Sequence, residues 1–183
     1  MASIVEEKKK YTYEDYLKTL DDKRYELIEG ELLMTPSPVT KHQRISVKLN
    51  FALTKFLTEN NLGEVLHAPL DVYFDNENVV QPDILFISKE RLNIIGEKNV
   101  QGAPDLVIEI ISESTAYRDL VQKKKLYAKF GVKEYWIVIP EESSIEIYTL
   151  KDNTYQPYKT YSKDDILESF FLKDLRVTLK EIF

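Results

Sequence analysis

Glu109 is the residue from which chemistry can be argued first. It interrupts the apolar run Leu106 to Ile111, which is long enough for a buried strand and too short for a helix. Alternation along a strand puts its carboxylate on the face of Val107 and Ile111. An ionised acid there is costly unless a cation or good donors meet it. Asp83 repeats the anomaly in VVQPDILFIS, where it shares a face with Gln81, Leu85 and Ile87. Asp105 also follows a proline, but on one strand it lies about 13 Å from Glu109, too far to share an ion. Asp83 and Glu109 can converge, because neighbouring strands run about 4.8 Å apart. Two carboxylates completed by water and a substrate phosphate are the usual holding of Mg2+, with Mn2+ as the substitute. Such an ion lowers the pKa of bound water and stabilises charge developing on oxygen, which is the chemistry of phosphodiester hydrolysis.

A third group comes from the segment after this strand, where Ser114 or Thr115 can cap a helix that Gly131 ends. Helical spacing predicts an inward stripe of Ala116, Leu120, Tyr127 and Phe130, with Asp119 and Lys123 inside the same arc. Lys125 points away and Lys124 sits on the flank, so Lys123 is selected to face Glu109. The plain alternative is an i,i+4 Asp119–Lys123 pair, worth about 0.3 kcal/mol. Beside a strand carrying a buried glutamate, a site is the better reading.

These groups need elements to hold them. Thr12 opens a short helix, with Asp15 in the capping-box position. RYELIEGELLM reads as a hairpin turning at Glu29-Gly30. Thr40 and Gln43 predict a capping box for the longest helix, whose inward stripe is His42, Ile45, Leu49, Ala52, Leu53 and Phe56. His42 there is equally a structural hydrogen-bonder or a site residue. EVLHAPLDVYF and NVVQPDILFIS read as two extended segments, and His67 in the first suits cross-strand pairing better than chemistry. Residues 88–103 read as a polar, mobile excursion. EYWIVIP and SSIEIYTL read as strands, with an edge strand around Pro157. The tail after Ser162 is apolar, and Phe170, Phe171 and Leu172 form a patch that either folds back on its own sheet or pairs with a twin in a homodimer.

The 183 residues suit one domain, expected over 11–183 after a flexible lead-in over 1–10. No apolar run spans a bilayer and no signal-like core opens the chain, so a cytoplasmic protein is expected. The absence of cysteine excludes disulfides, thiolate catalysis and cysteine-ligated zinc. Two histidines cannot make a histidine-rich metal site, and no phosphate-cradling glycine motif occurs. The net charge of -6 argues against tight nonspecific binding of nucleic acid, without excluding a local basic groove.

The order Pro-Asp, Glu, Lys resembles the PD-(D/E)xK nuclease superfamily. More closely, the chain is similar to the Uma-type family, described as restriction endonucleases. The matching pieces are YELIEGEL at 25–32, His42-Gln43, VVQPDILFIS at 79–88, GAPDLVIEIISEST at 102–115, then Asp119, Lys123 and Tyr127, and GVKEYWIV at 131–138. The resemblance implies a restriction-endonuclease-like α/β fold, a mixed sheet flanked by helices. It implies metal ligation by Asp83 and Glu109 and the lysine role on Lys123, with Glu26 and His42 at further catalytic-site positions. Ile111 stands where the superfamily motif has lysine, and Lys123 on the following helix would supply it. The substrate implied is nucleic acid, DNA ahead of RNA. A metal-dependent endonuclease is therefore the first reading. The second is a non-catalytic binding or assembly module, a regulatory dimer on the same fold in which the acids and lysine form a buried salt-bridge network.

Overall fold

The computed structural model describes residues 9–19, 23–112 and 114–183; residues 1–8 of the expected lead-in lie outside the described residues. Strand β8, Leu106–Ile110, shows why the chain layers as it does. Leu106, Ile108 and Ile110 enter one apolar core, and Val107 enters a second on the opposite face. Burying each such side chain contributes about 1.5–3 kcal/mol, so the strand can carry one acid if that acid is paired.

Around β8 lies a six-stranded mixed sheet. Its other members are β3 (Gly63–His67), β6 (Ile84–Ser88), β9 (Glu134–Ile139), β10 (Ser144–Lys151) and β11 (Thr154–Ser162). The order is β11-β10-β9-β8-β6-β3, with only the β8–β9 pair parallel. Pro157 lies in the edge strand β11, where its missing donor costs nothing.

Helix α2, Thr40–Asn60, covers one face with Ile45, Leu49, Leu53 and Leu57. The capping box expected of Thr40 and Gln43 does not form. The N-cap is Val39, which has no side-chain cap, and the Gln43 amide donates to the Val39 carbonyl. Helix α1, Tyr13–Leu17, does carry the box between Thr12 and Asp15.

A second, five-stranded sheet faces the other core. It contains β1 (Arg24–Ile28), β2 (Glu31–Thr35), β4 (Asp71–Asp75), β5 (Asn78–Val80) and β7 (Asn99–Gln101), in the order β2-β1-β5-β4-β7. The β1–β2 hairpin turns at Glu29 and Gly30, with φ of 52° and 80°, the left-handed pair that a two-residue hairpin turn needs.

Both long extended segments divide at a proline. The chain leaves β3 for β4 across Pro69, and leaves β5 for β6 across Pro82, changing sheet each time. Proline has no N–H for the ladder, so pairing lapses where it stands. Asp83 thus sits at the point of crossing, one residue before β6.

One further expectation needs correction, and one pair of alternatives is decided. Residues 88–103 are not a loose excursion: Lys89–Ile94 form a 3₁₀ helix, and β7 pairs in parallel with β4 and buries Val100 completely. Leu92, Ile94 and Ile95 pack against the same core, and in β7 one valine between Asn99 and Gln101 is too short a pattern to read as periodicity. Of the two readings of the tail, the structure shows folding back onto the chain's own core. Strands β12 (Ile166–Glu168) and β13 (Arg176–Thr178) and helix α4 (Leu179–Ile182) pack Leu172, Leu175, Val177 and Leu179 into the first core. Phe171 packs partly against that core, and of the three residues only Phe170 is exposed.

Candidate active site

Lys123 is brought inward by an irregular helix. Arg118–Lys123 wind as a π-helix before α3, Lys124–Phe130, which Gly131 ends in the left-handed conformation. The wider winding shifts the helical phase. Leu120, expected inside, is 39% exposed, while Asp119 and Lys123 are 4% and 3% exposed. Lys125 is exposed, and Lys124 lies on the flank with its Nζ over the Tyr148 ring.

Three carboxylates surround the Lys123 ammonium. Its Nζ is 2.7 Å from Glu26 Oε1, 2.9 Å from Glu109 Oε1 and 3.4 Å from Asp119 Oδ1. Glu26 comes from β1 and is fixed on both oxygens. The Gln81 amide donates to Oε1 at 2.9 Å, and Arg118 Nη1 donates to Oε2 at 3.0 Å. Arg118 also donates to the Met34 carbonyl and the Thr35 hydroxyl, so it ties the hairpin to the π-helix. Tyr127, one turn beyond Lys123, donates its hydroxyl to Glu109 Oε1 at 2.5 Å.

Asp83 stands beside this cluster. The β6–β8 register pairs Ile84 with Ile108, and one further step sets Asp83 opposite Glu109. Its Oδ2 accepts from the Ile110 amide at 2.8 Å and lies 3.1 Å from His42 Nε2. Among the described residues no hydrogen bond or ion pair engages Asp83 Oδ1 or Glu109 Oε2. Asp83, Glu109, Lys123, Glu26 and His42 all line one cleft of about 410 Å³. The residues proposed from sequence are therefore neighbours.

The electrostatics follow from burial. Removal from water pushes Glu109 well above the ordinary carboxylate range, and the Lys123 ammonium only partly opposes this. Burial raises Asp119 as well. Burial alone would lower the Lys123 ammonium, but the carboxylates of Glu109, Glu26 and Asp119 outweigh it and hold the amine well above its ordinary value. Lys123 is thus a fixed cation at neutral pH.

Four carboxylates face two permanent cations, Lys123 and Arg118, so the cleft is short of positive charge. Among the described residues no group of three His, Cys, Asp or Glu is placed to ligate one ion. A metal would rest on the free oxygens of Asp83 and Glu109 and complete its sphere with water and substrate. That donor set suits a hard divalent cation.

Asp105 belongs elsewhere. It is fully buried, accepts from the Ser88 amide and hydroxyl at 2.9 Å, and pairs with Arg91 and Lys133 at 2.9 and 2.7 Å. His67 is exposed at the end of β3, with Nδ1 3.0 Å from the Ala68 carbonyl. Sequence reasoning gave no role to Arg118 and no holding role to Tyr127. The spacing of Tyr127 from Lys123 carried that signal, whereas nothing local marked Arg118.

A family model described as "Putative restriction endonuclease" matches residues 13–180. Among solved structures, the chain is similar to one titled as a putative nuclease from Anabaena variabilis, with a TM-score of 0.77 and 20% sequence identity. That likeness covers 94% of this chain and 97% of the other, and it shows the fold. No curated protein matches the chain.

Proposed function

Because the chain belongs to the Uma2 family, whose model is described as "Putative restriction endonuclease", and shares the fold of a protein titled as a putative nuclease, we propose that it is a metal-dependent endonuclease hydrolysing phosphodiester bonds. The observation that carries this reading is the buried Lys123 ammonium, gripped by Glu26, Glu109 and Asp119 beside the Asp83–Glu109 pair in a cleft. Asp83 and Glu109 would hold the divalent ion, Mg2+ or Mn2+ in the cell, which when bound supplies a Lewis acid and a water of lowered pKa.

The chain's own residues do the positioning. The Ile110 amide and His42 aim Asp83, and Tyr127 fixes Glu109. Arg118 and Gln81 fix Glu26, which with Asp119 holds the Lys123 ammonium in place. Lys123 stays protonated, so it serves as a fixed positive charge for the phosphoryl oxygens of the transition state, not as a base. DNA is preferred to RNA as substrate, on the family's likeness to restriction enzymes.

Incubation of the pure protein with labelled DNA and RNA, with and without Mg2+ or Mn2+, tests the reading. Metal-dependent cleavage that Lys123→Met abolishes without unfolding the protein supports it. Absence of cleavage under all these conditions overturns it. The second reading, a non-catalytic module, draws on the saturation of Lys123 by three carboxylates. It predicts that Lys123→Met unfolds a protein that never cleaved nucleic acid.

A further inference from the structure

The Lys123 ammonium is already fully engaged. An ammonium has three N–H donors, and three carboxylates meet this one, Glu26 at 2.7 Å, Glu109 at 2.9 Å and Asp119 at 3.4 Å. The side chain is also buried, so no donor is left over for a phosphoryl oxygen. Lys123 can stabilise charge on a substrate only if one carboxylate lets go.

The three grips are unequal. Glu26 is held on both oxygens, by the Gln81 amide and by Arg118. Glu109 sits on the central strand β8 and keeps the Tyr127 hydroxyl at 2.5 Å. Asp119 makes the longest contact, and its 3.4 Å lies beyond the usual hydrogen-bond range of about 2.7–3.2 Å. Its backbone is fixed independently of that contact. The Asp119 amide donates to the Thr115 carbonyl at 3.0 Å, and its carbonyl accepts from the Tyr135 hydroxyl at 3.0 Å. The carboxylate can therefore turn about its own side-chain bonds without unwinding the π-helix. Asp119 lines the cleft together with Ser112 and Thr115, whose hydroxyls can receive it there.

Charge favours exchange over addition. Glu26, Asp83, Glu109 and Asp119 already outnumber the cations Lys123 and Arg118 in the cleft. A phosphodiester carries one negative charge, as a carboxylate does. Added beside Lys123, it would meet a surplus of like charge, and like charges repel strongly where water is excluded. Put in the place of Asp119, it leaves the charge around the ammonium unchanged.

We infer that Asp119 is a placeholder for the phosphoryl group of the substrate. It holds Lys123 while the cleft is empty and yields that position to a phosphoryl oxygen on binding. Asp119 is thus a positioning residue that competes with substrate, and the saturation of Lys123 becomes a resting state. The inference rests on the nuclease reading for the cleavage step; the exchange itself requires only an anion of the phosphate class.

Two measurements on wild type, Asp119→Asn, Asp119→Ala and Glu26→Gln test it, with circular dichroism reporting the fold of each. The first is calorimetric titration with inorganic phosphate in EDTA. Both Asp119 variants should bind phosphate at least about fivefold more tightly than wild type, the scale of one hydrogen bond to a charged group. Glu26→Gln should gain about twofold or less, because its carboxylate is not the one displaced. The second is steady-state cleavage of labelled DNA in Mg2+. Asp119→Asn should raise kcat/KM through a lower KM, a change that losing a merely structural ion pair does not produce, while Glu26→Gln should lower it. Phosphate binding no tighter than wild type in a folded Asp119 variant overturns the inference. So does a lowered kcat/KM in Asp119→Asn, equal tightening in Glu26→Gln, or unfolding of both Asp119 variants. If wild type cleaves and Asp119→Asn binds phosphate no better, the nuclease reading stands and the exchange falls. If none of the proteins cleaves, the nuclease reading falls, and the phosphate titrations still decide the exchange.

Discussion

Asp105 and Glu109 sit four residues apart on or beside the same strand, and both are buried acids, yet they have opposite surroundings. Asp105 receives two donors from Ser88 and two cations, Arg91 and Lys133. Burial would raise its pKa, but those partners win and hold it below the ordinary value. Glu109 shares its single cation with Glu26 and Asp119, and its pKa stays raised. One acid is finished as a structural joint. The other lines a cleft with an oxygen to spare. A proline-acid pattern on an apolar strand therefore does not mark a site by itself; the balance of cations against carboxylates does.

The largest effect expected of that contrast is on chemistry. Lys123→Met should lower metal-dependent cleavage by at least about a hundredfold in a folded protein, the scale of losing one oriented charge-stabilising donor. Asp105→Asn should leave cleavage per folded molecule unchanged. It should instead cost about 2 kcal/mol in urea denaturation, because Arg91 and Lys133 are partly exposed and recover some solvation. Cleavage lost in both variants, or in neither, would erase the distinction.

Acid titration sharpens it further, because the signs differ. Asp105 has a depressed folded pKa, so its stabilisation is present above the ordinary value of 3.8 and is lost as pH falls through the folded pKa. Glu109 has a raised folded pKa, so its contribution is complete below 4.5 and is lost as pH rises through the folded pKa. Urea midpoints measured across the acid range should show the gap between wild type and Asp105→Asn opening as pH rises. Glu109→Gln should gain on wild type over the rise from pH 4.5. The same Glu109→Gln protein, and Asp83→Asn, should show no calorimetric binding of Mn2+ where wild type binds it.

The smallest effect belongs to Lys125→Met, which changes an exposed lysine whose Nζ is 3.4 Å from Glu29. Stability within about 0.5 kcal/mol of wild type and full cleavage are expected.

Much of this arrangement is legible in the sequence. The alternation around Glu109, the capping box at Thr12 and the Glu29-Gly30 turn rest on local rules, and the structure carries each of them. The cation came from helical phase, which correctly singled out Lys123 and misplaced Leu120. The π-helix accounts for the misplacement, since no residue pattern announces a change of winding. The uncapped start of α2 and the burial of Val100 depend on partners far away in sequence. Glu26 and Arg118 could not have been joined by any local argument, because 92 positions separate them.

That separation has a consequence for the order of events in folding. Glu26, Asp83, Glu109 and Lys123 come from a hairpin, a sheet crossing, a central strand and an irregular helix. Most ties between them join residues far apart in the chain. Contacts of long sequence separation form only after the intervening loops have closed, and loop closure is slow. During refolding, α2 and the β1–β2 hairpin can gain structure early from their own neighbours. The grip on Lys123 has to wait for both sheets. Regain of function should therefore lag behind regain of helical signal, and a chain halted between those stages would display most of its secondary structure while its acids still repelled one another in water.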